Sequence, residues 1–128
     1  MERKIVITAA LFGAVAIILG AFGAHALKKV LSADELVSFE TGVKYQMYHA
    51  MFLLFVATTG LIGEKTKETI FYLTLAGVIF FSGSIYLLAT RSLSGINFKF
   101  LGPVTPIGGL LLISAWITLL LNVINKKA

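Results

Sequence analysis

Four stretches of the chain carry no Asp, Glu, Lys or Arg: 5–27, 45–63, 69–90 and 100–125. Each is close to or beyond the about 20 mostly apolar residues that a helix needs to cross a bilayer core. The formal charges gather in the segments between them. This alternation predicts an all-α integral membrane four-helix bundle, in one domain, with spans over about 5–24, 45–62, 69–90 and 103–121. Between the first two spans, Ser32-Ala33-Asp34-Glu35 has the form of a capping box, with Glu35 three residues after a capping serine. Leu36, Val37, Phe39, Val43 and Met47 then recur irregularly among polar residues. An amphipathic interfacial helix before span two is expected there.

Local signals refine the remaining boundaries. Gly63-Glu64-Lys65-Thr66-Lys67-Glu68 reads as a tight polar turn, which makes spans two and three antiparallel neighbours. Gly102-Pro103-Val104-Thr105-Pro106 precedes the fourth span, and Pro103 suits a first helical turn, where its missing amide proton needs no partner. In span one, Ala9, Gly13, Ala16, Gly20 and Ala24 recur at spacings of three and four. They form one face on which another helix can pack closely. That face is expected to be spare, which favours a homo-oligomer.

Composition agrees with this reading. Of the 128 residues, 58% are hydrophobic and 13% charged, against about 25% charged in a soluble domain. The net charge of +5 is scattered around the spans, as headgroup anchors are, so no nucleic-acid partner is expected. The absence of cysteine removes disulfides and thiolate chemistry. Arg3 and Lys4 before an apolar run resemble a secretory signal, and Ala24-His25-Ala26 has the form of a cleavage site. The run from Ile5 to Ala24 has the length of a span and exceeds the about 7–15 residues of a signal core, so retention is expected. Arg3, Lys4, Lys65, Lys67, Lys126 and Lys127 narrowly outnumber Lys28, Lys29, Lys44, Arg91 and Lys99 on the other side. The balance points to cytoplasmic termini in a bacterial plasma membrane.

Chemistry-bearing side chains are few. The candidate functional polar residues are His25, Glu40, Lys44, Tyr45, Tyr48, His49, Ser84 and Arg91, because polar and ionisable groups near membrane depth are costly. On one helix Glu40, Lys44 and Tyr48 share a stripe, while Gly42, Tyr45, Gln46 and His49 share another. Glu40 and Lys44 have the i,i+4 order of a helical ion pair. Glu40 and His49 point opposite ways, so one helix cannot bring both to one metal or proton relay. Two histidines without cysteine make no zinc set, and neither a metal nor a cofactor is expected. Ser82-Gly83-Ser84 lacks an acidic partner in its span, and G-x-S-x-G and H-E-x-x-H are missing, so no catalytic residue is assigned.

Four segments carry a resemblance. They are Gly20-Ala21-Phe22-Gly23-Ala24-His25-Ala26-Leu27, Phe39-Glu40-Thr41-Gly42-Val43-Lys44-Tyr45-Gln46-Met47-Tyr48-His49-Ala50, Phe81-Ser82-Gly83-Ser84-Ile85-Tyr86-Leu87-Leu88 and Leu101-Gly102-Pro103-Val104-Thr105-Pro106-Ile107-Gly108-Gly109. In this order they resemble the small four-span membrane proteins gathered as domain of unknown function 423, which include the vertebrate transmembrane protein 256. The resemblance spans nearly the whole chain. It implies an integral membrane protein and supplies no catalytic or binding residues. It does suggest that the four segments form one constellation, with His25, Tyr45, Tyr48, His49, Ser84 and Pro103 as positions to test. Three functions follow as expectations: binding of membrane lipids or assembly with a partner membrane protein; an oligomeric transporter or channel; and a small membrane enzyme requiring His25 and His49 to converge.

Overall fold

In a computed structural model of the chain, residues 2–126 are described, and they form an all-α protein. The helices are α1 (Glu2–His25), α2 (Ala33–Thr58), α3 (Glu64–Val78), α4 (Ser84–Ala89), α5 (Arg91–Ser94) and α6 (Val104–Ile124). A π-helical segment, Ile79–Gly83, joins α3 to α4 without a break in the helical course. Short 3-10 turns at Leu27–Lys29 and Lys99–Leu101 complete the connections. Three helical stretches are long and apolar enough to cross a membrane: Glu2–Lys29, Glu64–Ala89 and Lys99–Ile124. The stretch containing α2 is not among them, because Lys44, Gln46 and His49 interrupt it.

Two boundaries differ from the sequence reading. The expected interfacial helix and span two are one uninterrupted helix, which starts at Ala33 and stops at Thr58. The capping box at its start forms as anticipated: Ser32 Oγ accepts from the Glu35 amide at 3.1 Å, and the Ser32 amide donates to Glu35 Oε1 at 3.0 Å. With its first turn capped and no Pro or Gly pair inside, nothing stops α2 from running on. Second, the turn lies before Glu64. The charged run Glu64-Lys65-Thr66-Lys67-Glu68 is the first part of α3, entered through Gly63. At α6 the helix begins at Val104 with Pro103 as its cap residue.

The cap gives a pH-dependent contribution. The Ser32 amide, then the Ser92 and Ser32 hydroxyls and the Arg91 charge, hold the Glu35 carboxyl below its ordinary pKa against a smaller desolvation effect. A carboxyl whose pKa is lower folded than unfolded stabilises the fold above the unfolded value. That stabilisation disappears as pH falls through the folded value. Between about pH 6 and about pH 3, which brackets an ordinary glutamate, the parent should lose thermal stability that Glu35→Gln does not. Parallel melts of the two proteins in detergent would show it, and identical pH profiles would refute it.

Helix α1 packs along α2, and α6 packs along α3 and the π segment. Ala9 and Ala16 of the small-residue face are buried. A Cβ on Gly13 would lie 3.8 Å from Ala50 Cβ, and one on Gly20 would lie 3.5 Å from Val43 Cγ1. Ala24 is exposed, and the face continues instead through buried Gly23, where a Cβ would meet Phe39 Cε1 at 3.1 Å. The reason is the helical turn: three residues from Gly20 stay closer to the Ala9–Ala16 line here than four. The face expected to be spare for self-association is therefore covered by α2 of the same chain.

The core runs through Ile5, Leu53, Val56, Ile70, Phe71 and Ala115. The end of the molecule where α1 begins and α6 ends is tied by polar contacts. Buried Lys67 donates to Glu2 Oε1 at 3.2 Å and to the Ala57 carbonyl at 3.0 Å. Lys4 reaches the Tyr72 hydroxyl at 3.1 Å, Thr66 reaches Asn122 at 3.1 Å, and Lys126 reaches the Gly60 carbonyl at 2.9 Å. At the other end Leu27, Leu31, Phe39 and Ala89 form a second apolar cluster.

Candidate functional site in the groove between α2 and α6

The backbones of α2 and α6 scarcely approach each other, because both lean on the α3–π–α4 rod. Aromatic side chains cross the gap. Trp116 of α6 lies over Phe52 with ring centroids 4.1 Å apart, and edge-on to His49 at 6.1 Å. Tyr45 packs on Phe81 of the π segment at 4.9 Å. Above these rings is a cleft of about 320 Å³ bounded by Tyr45, His49, Phe81, Gly109, Ile113 and Trp116. Its mouth is apolar and open, with Tyr45 40% and Trp116 47% exposed, while His49 at its base is buried.

The hydrogen bonds of His49 fix its proton. Its Nδ1 lies 2.7 Å from the Tyr45 carbonyl, which can only accept, so Nδ1 carries the hydrogen. Nε2 lies 3.1 Å from the Trp116 indole N–H, which can only donate, so Nε2 is bare. This is the neutral Nδ1–H tautomer with both nitrogens engaged. A proton on Nε2 would set two donors against each other. The ring therefore acts as a polar joint between α2 and α6 and not as a free base.

A second polar chain runs beside it, through Gln46 and Gly42 of the same stripe of α2. Gln46 Nε2 donates to the Phe12 carbonyl at 2.9 Å, and Gln46 Oε1 accepts from the Tyr86 hydroxyl at 2.7 Å. Gln46 thus links α1, α2 and α4. Ser82 in the π segment donates to the Gly42 carbonyl at 2.7 Å. Ser84 donates to the Phe81 carbonyl at 3.0 Å and pairs with the Thr105 hydroxyl of α6. Hydroxyls in this setting bond across helices and tie them together. Gln46→Leu and Tyr86→Phe should each lower stability by about 1 kcal/mol, and a double-mutant cycle should return a coupling of about 0.6 kcal/mol or more. Additive losses would show that this bond ties nothing together.

The candidates divide into two groups. Tyr45, His49 and, through Thr105, Ser84 sit along the α2–α6 gap. Tyr48 is exposed beside Tyr45, with ring centroids 5.6 Å apart. Glu40 and Lys44 are both exposed and do not pair; the one salt bridge among the described residues is Lys67–Glu2. An exposed i,i+4 pair gains only about 0.3–0.5 kcal/mol, too little to hold two solvated chains together. His25 is exposed at the end of α1, while His49 is buried against α6, and no contact joins them. The convergence required of a two-histidine enzyme is not made. Arg91 donates to the Leu88 carbonyl at 2.6 Å and is exposed. Among the described residues no three His, Asp or Glu come together as a metal set.

Three members escaped the sequence reading. Trp116 sits in an apolar run that gives it no mark, except that it is the one tryptophan in the chain. Thr105 lies in the proline-rich entry to α6, whose local sequence marks a helix boundary. Lys67 falls in a charged run that reads as a polar turn, although its spacing from Ile70 and Phe71 puts it on the buried face of α3.

Residues 19–109 match the family described as protein of unknown function, DUF423. The chain belongs to this family. It is 41% identical over 106 residues to UPF0382 membrane protein SH2409 of Staphylococcus haemolyticus, covering 80% of each chain. It is 36% identical over 128 residues to the UPF0382 membrane protein of Haemophilus influenzae, covering 100% of this chain and 99% of that one. Against the UPF0382 inner membrane protein YgdD of Escherichia coli the identity is 33% over 131 residues, covering 98% and 93%. No solved structure matches. The matched region of the DUF423 family takes in Tyr45, His49, Phe81 and Gly109 of the cleft and stops short of Trp116.

Proposed function

We propose that this DUF423 member is a four-span protein of the bacterial plasma membrane that binds a membrane lipid in the groove between α2 and α6. The observation that carries the reading is the open aromatic cleft over His49, whose polar atoms are all satisfied within the protein. A site whose histidine is engaged at both ring nitrogens and whose walls are mostly apolar suits retention of an acyl chain. The fourth span in this reading is α2. Its polar residues Gln46 and His49 are buried and bonded inside the molecule, which is how polar side chains are accommodated in spans. The plasma-membrane assignment draws on the inner-membrane name of the Escherichia coli relative and on the basic flanks of the helices. Both termini are cytoplasmic. The groove is complete within one chain, so a homo-oligomer is not needed to build it.

Native mass spectrometry of the protein released gently from its own membrane tests the reading. One lipid per chain, retained at collision energies that strip the detergent, is the expected result. A chain that sheds every lipid together with the detergent would contradict it.

A further inference from the structure

We infer that the groove selects its lipid by headgroup: its loop end takes a zwitterionic phospholipid bearing a primary ammonium, the phosphate on Arg91 and the ammonium on Asp34. This rests on the lipid-binding reading above and deepens it. A cavity of about 460 Å³ opens at that end, lined by Asp34, Glu35, Ser38, Ile85, Arg91 and Thr105 among others. It lies along the same faces of α2 and α6 as the aromatic cleft, with no lining residue in common. Along α2 the lining passes from Asp34 and Ser38 to Tyr45 and His49, and along α6 from Thr105 and Pro106 to Gly109, Ile113 and Trp116. Ile85 and Phe81 supply the floor of the upper and lower parts. Asp34 and His49 stand roughly 22 Å apart along α2 at about 1.5 Å per residue, so a headgroup at the first leaves its acyl chain beside the second. The groove thus has one polar end and one apolar end, as a phospholipid has.

The charges choose among headgroups. Arg91 uses one amino group on the Leu88 carbonyl, and a guanidinium has further N–H groups for a phosphate. The first turn of α6, at Thr105 and Pro106, lines the same cavity, so the positive end of that helix adds to the field on the phosphate. Glu35 is engaged in the capping box. Asp34 beside it has no side-chain partner among the described residues and is exposed to the cavity mouth. Two carboxylates against one guanidinium make the pocket unfavourable for a headgroup that is only anionic. A primary ammonium donates hydrogen bonds to Asp34, whereas a quaternary one has none to give.

Trp116, the only tryptophan, reports occupancy of the groove directly. Phospholipids with identical brominated acyl chains and ethanolamine, choline or glycerol headgroups would be titrated into the full-length protein in detergent while its emission is followed. The ethanolamine lipid should quench saturably at about tenfold lower mole fraction than the glycerol lipid, with choline between them. Asp34→Asn should bring ethanolamine to the choline midpoint. Arg91→Gln should weaken all three by about tenfold. Both side chains are exposed and lie outside the core, so both variants should fold. Saturable quenching with one midpoint for all headgroups, or an order unchanged in Asp34→Asn, would overturn the headgroup assignment and leave the groove standing. Quenching that only follows the bulk brominated fraction, alike in parent and variants, would overturn the groove itself.

Discussion

Gly108→Ala should cost about 3 kcal/mol, at the top of the range for an overpacked core, while the neighbouring Gly109→Ala costs almost nothing. A Cβ on Gly108 would collide with the amide nitrogen of Phe81, and would stand 2.8 Å from both the Phe80 carbonyl carbon and the Phe81 Cα. These are backbone atoms of the π segment and cannot rotate away. The only relief is for α6 to move off the π segment. In lipid, where no hydrophobic force draws helices together, close backbone packing is a main source of cohesion. A Cβ on Gly109 would meet only the Phe81 ring, at 3.7 and 3.9 Å, which is ordinary contact. Thermal melts of the two single-methyl variants in one detergent make the comparison. Equal melting temperatures would show that the π segment and α6 do not touch as described. Because α6 carries Trp116, Gly108→Ala should also dim the His49–Trp116 joint and the groove it closes.

Trp116→Ala should reduce saturable lipid binding at least tenfold while the helix content holds. A tryptophan presents about 150–250 Å² of surface, and truncating such an anchor at the centre of a site commonly costs about 2 kcal/mol or more, or roughly thirtyfold. Here the indole forms one wall of the cleft, covers Phe52 and donates to His49. Trp116→Phe separates these roles. It keeps a ring against Phe52 but leaves His49 Nε2 without a donor, so it should bind lipid better than Trp116→Ala while losing stability relative to the parent. Lipid retention by native mass spectrometry and melting temperature, measured on the three proteins, give both readouts. Undiminished retention in Trp116→Ala would remove the cleft from the site.

The fold was legible where charge and apolar residues separate cleanly. The runs starting at Ile5, Thr69 and Phe100 each match a helix of the structure, because in a membrane protein the boundary between water and lipid is written in the charges. Helix α2 was harder. Its first turns carry Asp34, Glu35 and Glu40 and look interfacial, while Gln46 and His49 lie deep; the sequence shows the polarity but not that α1, α4 and α6 supply the partners. The π segment had no local signal apart from Ser82-Gly83-Ser84. The contacts it makes, Ser82 reaching Gly42 and Gly108 lying against Phe81, are tertiary facts. The candidate site was half visible. Tyr45 and His49 stood out as polar groups in a span, and Ser84 and Arg91 lie near the same gap. Trp116 and Thr105 are on the last helix, and which residues of α6 meet α2 depends on how both lean on α3.

The location of the bound lipid can be read directly with a phospholipid carrying a photoreactive diazirine near the end of its acyl chain. After irradiation of the protein in nanodiscs, the labelled residues are mapped by peptide mass spectrometry. If a lipid occupies the groove, labels concentrate on Tyr45, Ile113 and Trp116, and excess unlabelled lipid displaces them at a stoichiometry of one per chain. Labels spread evenly over the outward face of α1, at Ile7, Leu11 and Ile18, with no enrichment between α2 and α6, would contradict a lipid site there.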